Sequence, residues 1–321
     1  MNNKFSKVHP DLQAAVKMSP SLHYSSKSLW LIRLLISLIP APKAPKDASI
    51  KNIKIDNKEG NAKIRLRIYQ PANHTSGTPV LIWMHGGGYI IGKPEMEDAL
   101  CIQFVRELGI SIVSVDYRLA PKHPFPAGLD DCYSALMWAK QNSEVFGFDE
   151  NRIAVGGTSA GGGLAAALAQ LAYDRKEVAL VFQCLTYPML DDRTVLRTDI
   201  DDSNSPTWSQ KNNRFGWESY LGKEYGAKEL PVYAVPARRE NLSGLPPAWI
   251  GVGTLDVFCE EDKAYAQRIK EAGIECDLNI VEGAFHGFDA FDQKLSIVQE
   301  FRKSQIATLR KHLVGSLQKH G

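Results

Sequence analysis

The sequence predicts an α/β protein: a largely parallel sheet with helices packed on both faces. Three observations predict it. Continuous apolar runs recur at 80–84, 110–115, 153–155, 178–184 and 249–252, the pattern of strands buried on both faces. Helical periodicity fills the intervals, at 95–107, 130–141, 160–173, 261–272 and 292–313. Strands and helices therefore alternate along one chain, which favours parallel pairing through crossover helices. The composition, 44% hydrophobic and 23% charged over 321 residues, is that of a globular chain and excludes disorder, collagen and coiled coil.

Taken in order, residues 1–48 read as helical and end in the Pro-rich stretch 41–46. Within them, 29–39 (LWLIRLLISLI) is apolar but only 11 residues long and interrupted by Arg33. A spanning helix needs about 20 residues. A signal peptide would place the run nearer the start and follow it with a small-residue cleavage site rather than Pro40-Ala41-Pro42. Two readings stay open for this run: an amphipathic helix packed on the protein, or one that covers an apolar substrate pocket or touches a membrane surface. A hairpin follows. Ile53 and Ile55, then Ile64, Leu66 and Ile68, alternate with polar residues around the turn signal Glu59-Gly60-Asn61. That alternation implies one wet face, as on an antiparallel edge.

The strand–helix alternation breaks at 190–236. This stretch has no strand pattern but carries Trp208, Phe215, Trp217, Tyr220 and Tyr225. An insertion of that length in a compact domain predicts a lid or cap.

Charge and cysteine content exclude other classes. Lys+Arg 38 against Asp+Glu 36 leaves a net charge of +2, no basic field for nucleic acid. The five cysteines, at 101, 132, 184, 259 and 276, are odd in number and form no CxxC, so neither a zinc site nor a disulfide framework is expected. A reducing, cytoplasmic location fits.

The most informative stretch is Gly157-Thr158-Ser159-Ala160-Gly161, a G-x-S-x-G between a predicted strand and a predicted helix. A serine on so sharp a turn has a strained backbone, and small neighbours let strand and helix pass closely. The following helix N-terminus aims free N–H groups at the serine. A phosphate loop is excluded because Gly162 and Gly163 stand where Lys and Ser/Thr are needed. A dinucleotide fingerprint over 161–166 would begin too far past the strand. The loop His85-Gly86-Gly87-Gly88-Tyr89 directly follows the first buried strand. Three consecutive glycines are entropically costly. Convergent backbone N–H groups are a use for them, because losing one oxyanion donor costs roughly 3 kcal/mol of transition-state stabilisation. His85 reads as an anchor of this loop rather than an acid or base. Ala160 supplies the N–H that follows the nucleophile.

Asp256 follows the strand at 249–252, and His286 follows the strand at 276–281. Catalytic groups in open α/β sheets sit past the carboxyl ends of strands, as Ser159 also does. Imidazole, with a reference pKa of about 6.5, can take the serine proton and return it. A buried carboxylate fixes its tautomer. Of the eight histidines only His286 follows a buried strand, between Phe285 and Gly287. Glu260, Glu261 and Asp262 fall at the next helix start, where carboxylates favour the dipole.

These segments resemble the hormone-sensitive-lipase-like esterases (bacterial family IV) within the α/β-hydrolases. The resemblance is carried by HGGGY at 85–89, DYRLAP at 116–121, GTSAGG at 157–162, YPML at 187–190, LDVFCEED at 255–262 and HGF at 286–288. It implies an eight-stranded sheet, a helical cap, and hydrolysis of short- to medium-chain carboxylic esters without cofactor or metal. It makes Ser159, Asp256 and His286 the catalytic triad and the amides of Gly87, Gly88 and Ala160 the oxyanion donors. The expected partner is a small-molecule ester; homodimers are common in such enzymes. Tyr89, Phe258 and Phe288 flank the chemistry and are candidates for the pocket wall, or for core. The departures are Glu260 in place of Asp, Lys122 where Glu is usual, and Gly163 in place of a frequent Asn. The expected organisation is cap helices at 1–48, catalytic core at 49–189, cap insertion at 190–236 and catalytic core at 237–321. An amidase or deacetylase using the same triad stays open. A non-catalytic receptor is disfavoured by the presence of His286. A true lipase is disfavoured because interfacial enzymes usually expose more apolar surface.

Overall fold

Eight strands form one sheet in the order β1-β2-β4-β3-β5-β6-β7-β8 in the computed structural model, which describes residues 5–18, 23–57 and 60–315. The strands are β1 Ala48–Asp56, β2 Lys63–Pro71, β3 Thr78–Met84, β4 Ser111–Asp116, β5 Phe148–Thr158, β6 Leu180–Thr186, β7 Ala248–Gly253 and β8 Cys276–Val281. β2 is antiparallel to β1 and β4, and every other pairing is parallel. The helices are α1 Gln13–Met18, α2 Leu29–Ser37, α3 Asp98–Leu108, α4 Ala127–Gln141, α5 Ser143–Phe146, α6 Ala160–Arg175, α7 Gln210–Leu221, α8 Cys259–Glu271 and α9 Ser296–Leu309.

The predicted apolar runs at 80–84, 110–115, 153–155 and 249–252 are buried, whereas in 178–184 Ala179 is exposed and Leu180 and Val181 are half-buried. Along β3, Val80, Ile82 and Met84 enter one core cluster with α4, α6 and α8. Leu81 and Trp83 enter a second, with α3 and α9. Each face is covered, so a continuous apolar run is required.

The hairpin differs from expectation in one respect. β1 is the edge strand, but β2 lies inside the sheet. Its Arg67 is buried, not wet: it donates to Asp98 at the start of α3 at 2.6 and 2.8 Å and to Tyr69 Oη at 3.1 Å. A buried cation is tolerable only with such partners, and α3 supplies them. The hairpin closes through Asn57 N–H to Ala62 O at 2.9 Å; Glu59 of the predicted turn lies outside the described residues.

The described parts of 1–48 take two positions. Val8, Leu12 and Val16 pack in the cluster with α9 and Phe285, and His9 N–H donates to Gly283 O at 2.9 Å. Tyr24 and Leu29 join the opposite cluster. Both positions touch 190–236: Lys7 pairs with Asp201 at 3.1 Å, and Tyr24 N–H donates to Asn212 Oδ1 at 3.2 Å. Residues 190–236 contain α7 and no strand. Their first residues are fastened to α8, where Glu261 accepts from the N–H groups of Leu190 (2.7 Å) and Asp191 (3.1 Å) and from Thr194 Oγ1.

The five cysteines are buried and unpaired. No helix among the described residues is long and apolar enough to cross a membrane. The outer face of α2 is nevertheless apolar and exposed, through Trp30, Leu31, Leu34 and Leu35.

Candidate active site

The end of β5 turns directly into α6 at Ser159, which holds φ +57° and ψ −121°. This is a left-handed-side conformation that a non-glycine residue adopts only when its surroundings impose it. Here Ser159 N–H donates to Thr186 O at 2.9 Å, and Ser159 O accepts from Gly163 and Met189, each at 3.0 Å. The flanking glycines answer a steric demand. A Cβ at Gly161 would lie 2.1 Å from Met84 O, and one at Gly157 would lie 2.5 Å from both Met84 O and Gly161 O. The helix start thus crosses the end of β3 at backbone contact, which presents Ser159 to the cleft at the carboxyl end of the central strand β5.

The three residues named from their strand-end positions meet. His286 Nε2 is 2.9 Å from Ser159 Oγ, and His286 Nδ1 is 2.7 Å from Asp256 Oδ2. The second oxygen of Asp256 accepts Phe258 N–H at 3.0 Å. All three side chains are buried, so a carboxylate here acts in a medium where its pairing with an imidazole counts for more than in water.

The glycine loop faces the same point. Gly87 has φ +124° and Gly88 φ +58°, conformations that glycine adopts without strain. Gly87 O accepts from both Ile90 and Ile91 N–H at 3.0 Å, which turns the loop back. The N–H groups of Gly87 and Gly88 have no acceptor among the described residues. Glu97 holds the loop to the serine turn. It accepts from Gly86 N–H at 2.9 Å, from Thr158 Oγ1 and from Trp83 Nε1. His85 stacks on Tyr117 at 4.3 Å, and its Nδ1 lies 2.7 Å from Gly86 O. Burial lowers its pKa, consistent with a neutral anchor.

A cleft of about 290 Å³ opens over Ser159. Its walls include Gly87, Gly88, Tyr24, Trp208, Tyr187 and Phe291. Tyr89, Phe258 and Phe288 do not line it. Tyr89 is buried, stacks on Tyr220 at 4.0 Å and donates to Met189 O at 3.1 Å. Phe258 sets its edge against His286 at 5.2 Å from behind. Phe288 packs on Phe301 in the core. Position beside a reactive residue in sequence is therefore not position on the wall.

Nothing local in the sequence places three wall or support residues at the site. Trp208 lies across Gly88, where an added Cβ would meet its ring at 2.1 Å. Thr207 Oγ1 donates to His286 O. Tyr187, in the YPML stretch, packs its ring on His286 at 4.7 Å and donates to Asp289, itself paired with Arg302. These contacts join segments far apart in the chain, which no local pattern reports. No group of three or more His, Cys, Asp or Glu side chains able to hold a metal occurs among the described residues.

A sequence profile of the family described as alpha/beta hydrolase fold matches residues 81–290. Esterase LipI of Mycobacterium tuberculosis is 31% identical over 286 residues, 88% of each chain. Carboxylesterase NlhH of the same organism is 33% identical over 261 residues, 79% of this chain and 80% of the relative. Among solved structures, a bacterial heroin esterase superposes with a TM-score of 0.89 at 33% identity, covering 96% of this chain and 99% of the other. Esterase LipW from Mycobacterium marinum gives 0.84 at 30% identity, covering 96% and 97%.

Proposed function

This chain belongs to the α/β-hydrolase fold family, and on that premise we propose that it is a serine carboxylesterase acting on small carboxylic esters through an acyl-enzyme. The relatives named esterase and carboxylesterase support the reaction class. The observation that carries the mechanism is the unbroken chain from Ser159 Oγ through His286 to Asp256.

Ser159 Oγ attacks the ester carbonyl while His286 Nε2 accepts its proton. Asp256, bonded to Nδ1, keeps the imidazole in the tautomer whose Nε2 is free to accept, and stabilises the imidazolium that forms. The carbonyl oxygen gains charge as the carbon becomes tetrahedral. The N–H groups of Gly87, Gly88 and Ala160 receive that charge, and being already ordered they need no reorganisation. His286 then protonates the leaving alkoxide, and water activated by the same imidazole cleaves the acyl-enzyme. No step calls for a metal or cofactor.

The cleft volume supports the proposed substrate range. A cleft of about 290 Å³ lies at the small end for ligand pockets, which suits short- to medium-chain acyl groups. Trp208 and Tyr24, with rings 5.6 Å apart, form one side of the space. We read residues 190–236 and 23–39 together as the cap that closes it.

The test is turnover of p-nitrophenyl butyrate, with intact-mass detection of the adduct left by a p-nitrophenyl alkylphosphonate, which phosphonylates the attacking oxygen and releases p-nitrophenol. Wild type is expected to turn over and to gain one adduct on Ser159. Ser159→Ala is expected to do neither, and full activity of that variant would overturn the reading. A matched butyryl anilide in the same assay separates esterase from amidase.

A further inference from the structure

The helix α2 is turned inside out. Its one charged residue, Arg33, faces the protein, where Nε donates to Ile90 O at 2.8 Å and Nη2 to Ala120 O at 2.5 Å. Leu29 is buried, and Ile32 and Ile36 are partly so. The opposite face holds Trp30, Leu31, Leu34 and Leu35, continued by Leu38 and Ile39, all between 44 and 68% exposed. Six large apolar side chains within ten residues are therefore open to solvent. Other exposed apolar residues, such as Val145, Val232 and Ile280, are separated in sequence, and such single residues need no explanation.

Charge says what covers this face. From residue 12 to residue 46 the chain contains Lys17, Lys27, Arg33, Lys43 and Lys46 and no Asp or Glu. Lys27 precedes α2, Lys43 and Lys46 follow it, and all three are exposed; no carboxylate pairs with them among the described residues. Lys93 Nζ donates to Ser37 O and Ile39 O at the end of the helix. Lys122, where Glu is usual in the resembling esterases, is exposed two residues beyond the carbonyl that Arg33 holds. The neighbouring acids have other partners: Glu95 is engaged with Arg65, Glu97 with the glycine loop, and the exposed Asp47 with Arg106. An apolar face with a tryptophan, flanked along the chain by exposed lysines that no carboxylate pairs among the described residues, matches an anionic lipid surface. A second copy of the chain fits less well. A stable interface takes about 20–30 residues a side, and like-charged rims would oppose it.

We infer that α2 docks this protein on anionic bilayers, its apolar face entering the headgroup region and Lys27, Lys43 and Lys46 meeting lipid phosphates. The cleft sits beside that contact. Tyr24, just before α2, lines it, and so do the exposed Met96 and Phe291. Docking would thus bring the cleft mouth to the lipid phase. That last consequence rests on the esterase reading; the docking does not.

The experiment is flotation of the full chain with vesicles of phosphatidylcholine alone or mixed equally with phosphatidylglycerol, at low and high salt. The wild type is expected to float with the anionic vesicles and to lose binding in high salt. Trp30→Ser/Leu34→Ser/Leu35→Ser should lower partitioning at least about tenfold while its circular dichroism and urea midpoint stay those of the wild type. Each of Lys27→Gln, Lys43→Gln and Lys46→Gln should lower it about fivefold. Three outcomes would overturn the inference: no flotation, flotation that the triple variant retains, or a dimer in sedimentation velocity that the triple variant abolishes. Flotation needs no turnover, so it stands or falls apart from the reaction assigned to Ser159.

Discussion

Gly163 offers a test in which two effects of opposite sign compete. It lies in the first turn of α6, where the resembling esterases often carry Asn. In isolation, Gly163→Ala should stabilise the helix by about 1 kcal/mol, because alanine has less backbone freedom to lose. The surroundings oppose this. A methyl group there would lie 2.2 Å from Met189 O and 2.5 Å from Tyr89 Oη. The first atom is backbone, and the second belongs to a ring stacked on Tyr220, so neither is free to yield. Overpacking of this kind costs about 1–3 kcal/mol. Separating Tyr89 from Met189 removes their 3.1 Å hydrogen bond and leaves a buried hydroxyl unpaired, about 1–3 kcal/mol more. The clash wins, with a net loss of roughly 2–3 kcal/mol. In urea that is a midpoint lower by about 1 M for a slope of 2–3 kcal/mol/M. Because Met189 N–H bonds Ser159 O at 3.0 Å, turnover should fall with stability, and Gly163→Asn should be worse than Ala. Urea unfolding followed by circular dichroism, with turnover measured alongside, checks both. An unchanged or higher midpoint for Gly163→Ala would refute the packing argument.

Three more outcomes are expected. Asp256→Asn should lower kcat on p-nitrophenyl butyrate by about 10⁴-fold with a much smaller change in KM, since it spoils the tautomer and not the cleft; stopped-flow and steady-state rates read this directly. Trp208→Ala should cost about 3–5 kcal/mol of stability and move the acyl optimum to longer chains. Each further methylene accommodated should gain about fourfold in kcat/KM, measured from p-nitrophenyl acetate to palmitate. Glu95 tests acid stability. Burial alone would raise its pKa, but the hydrogen-bonded guanidinium of Arg65 holds it down at about 2, against an ordinary 4.5. Its contribution, about 3 kcal/mol, is therefore complete above pH 4.5 and fades as pH falls toward 2. Glu95→Gln should be less stable than wild type at neutral pH, and the gap should close across that window in urea titrations.

Much of the site was legible because its constraints are local. The serine turn needs a strand, small neighbours and a helix start within a few residues, and all are consecutive around Ser159. Asp256 and His286 sit at strand ends that apolar runs mark. What stayed hidden depends on long-range packing. Arg67 reads as a wet residue by alternation, and Asp98, 31 positions away, supplies a carboxylate that makes its burial tolerable. Trp208 reads as one aromatic among several, and nothing near it in sequence says that it lies across Gly88. Tyr89, Phe258 and Phe288 reverse the case: their neighbours are reactive, but their side chains point into packing.

Glu97 gives the site a mechanical property. One carboxylate holds the end of β3 through Trp83, the glycine loop through Gly86 and the nucleophile turn through Thr158. In the proposed mechanism the oxyanion donors and the attacking oxygen are thereby tied to each other through one carboxylate. On that reading, a movement of 190–236 would open or narrow the cleft without altering the spacing between them, so substrate entry and the geometry of attack would be separate degrees of freedom.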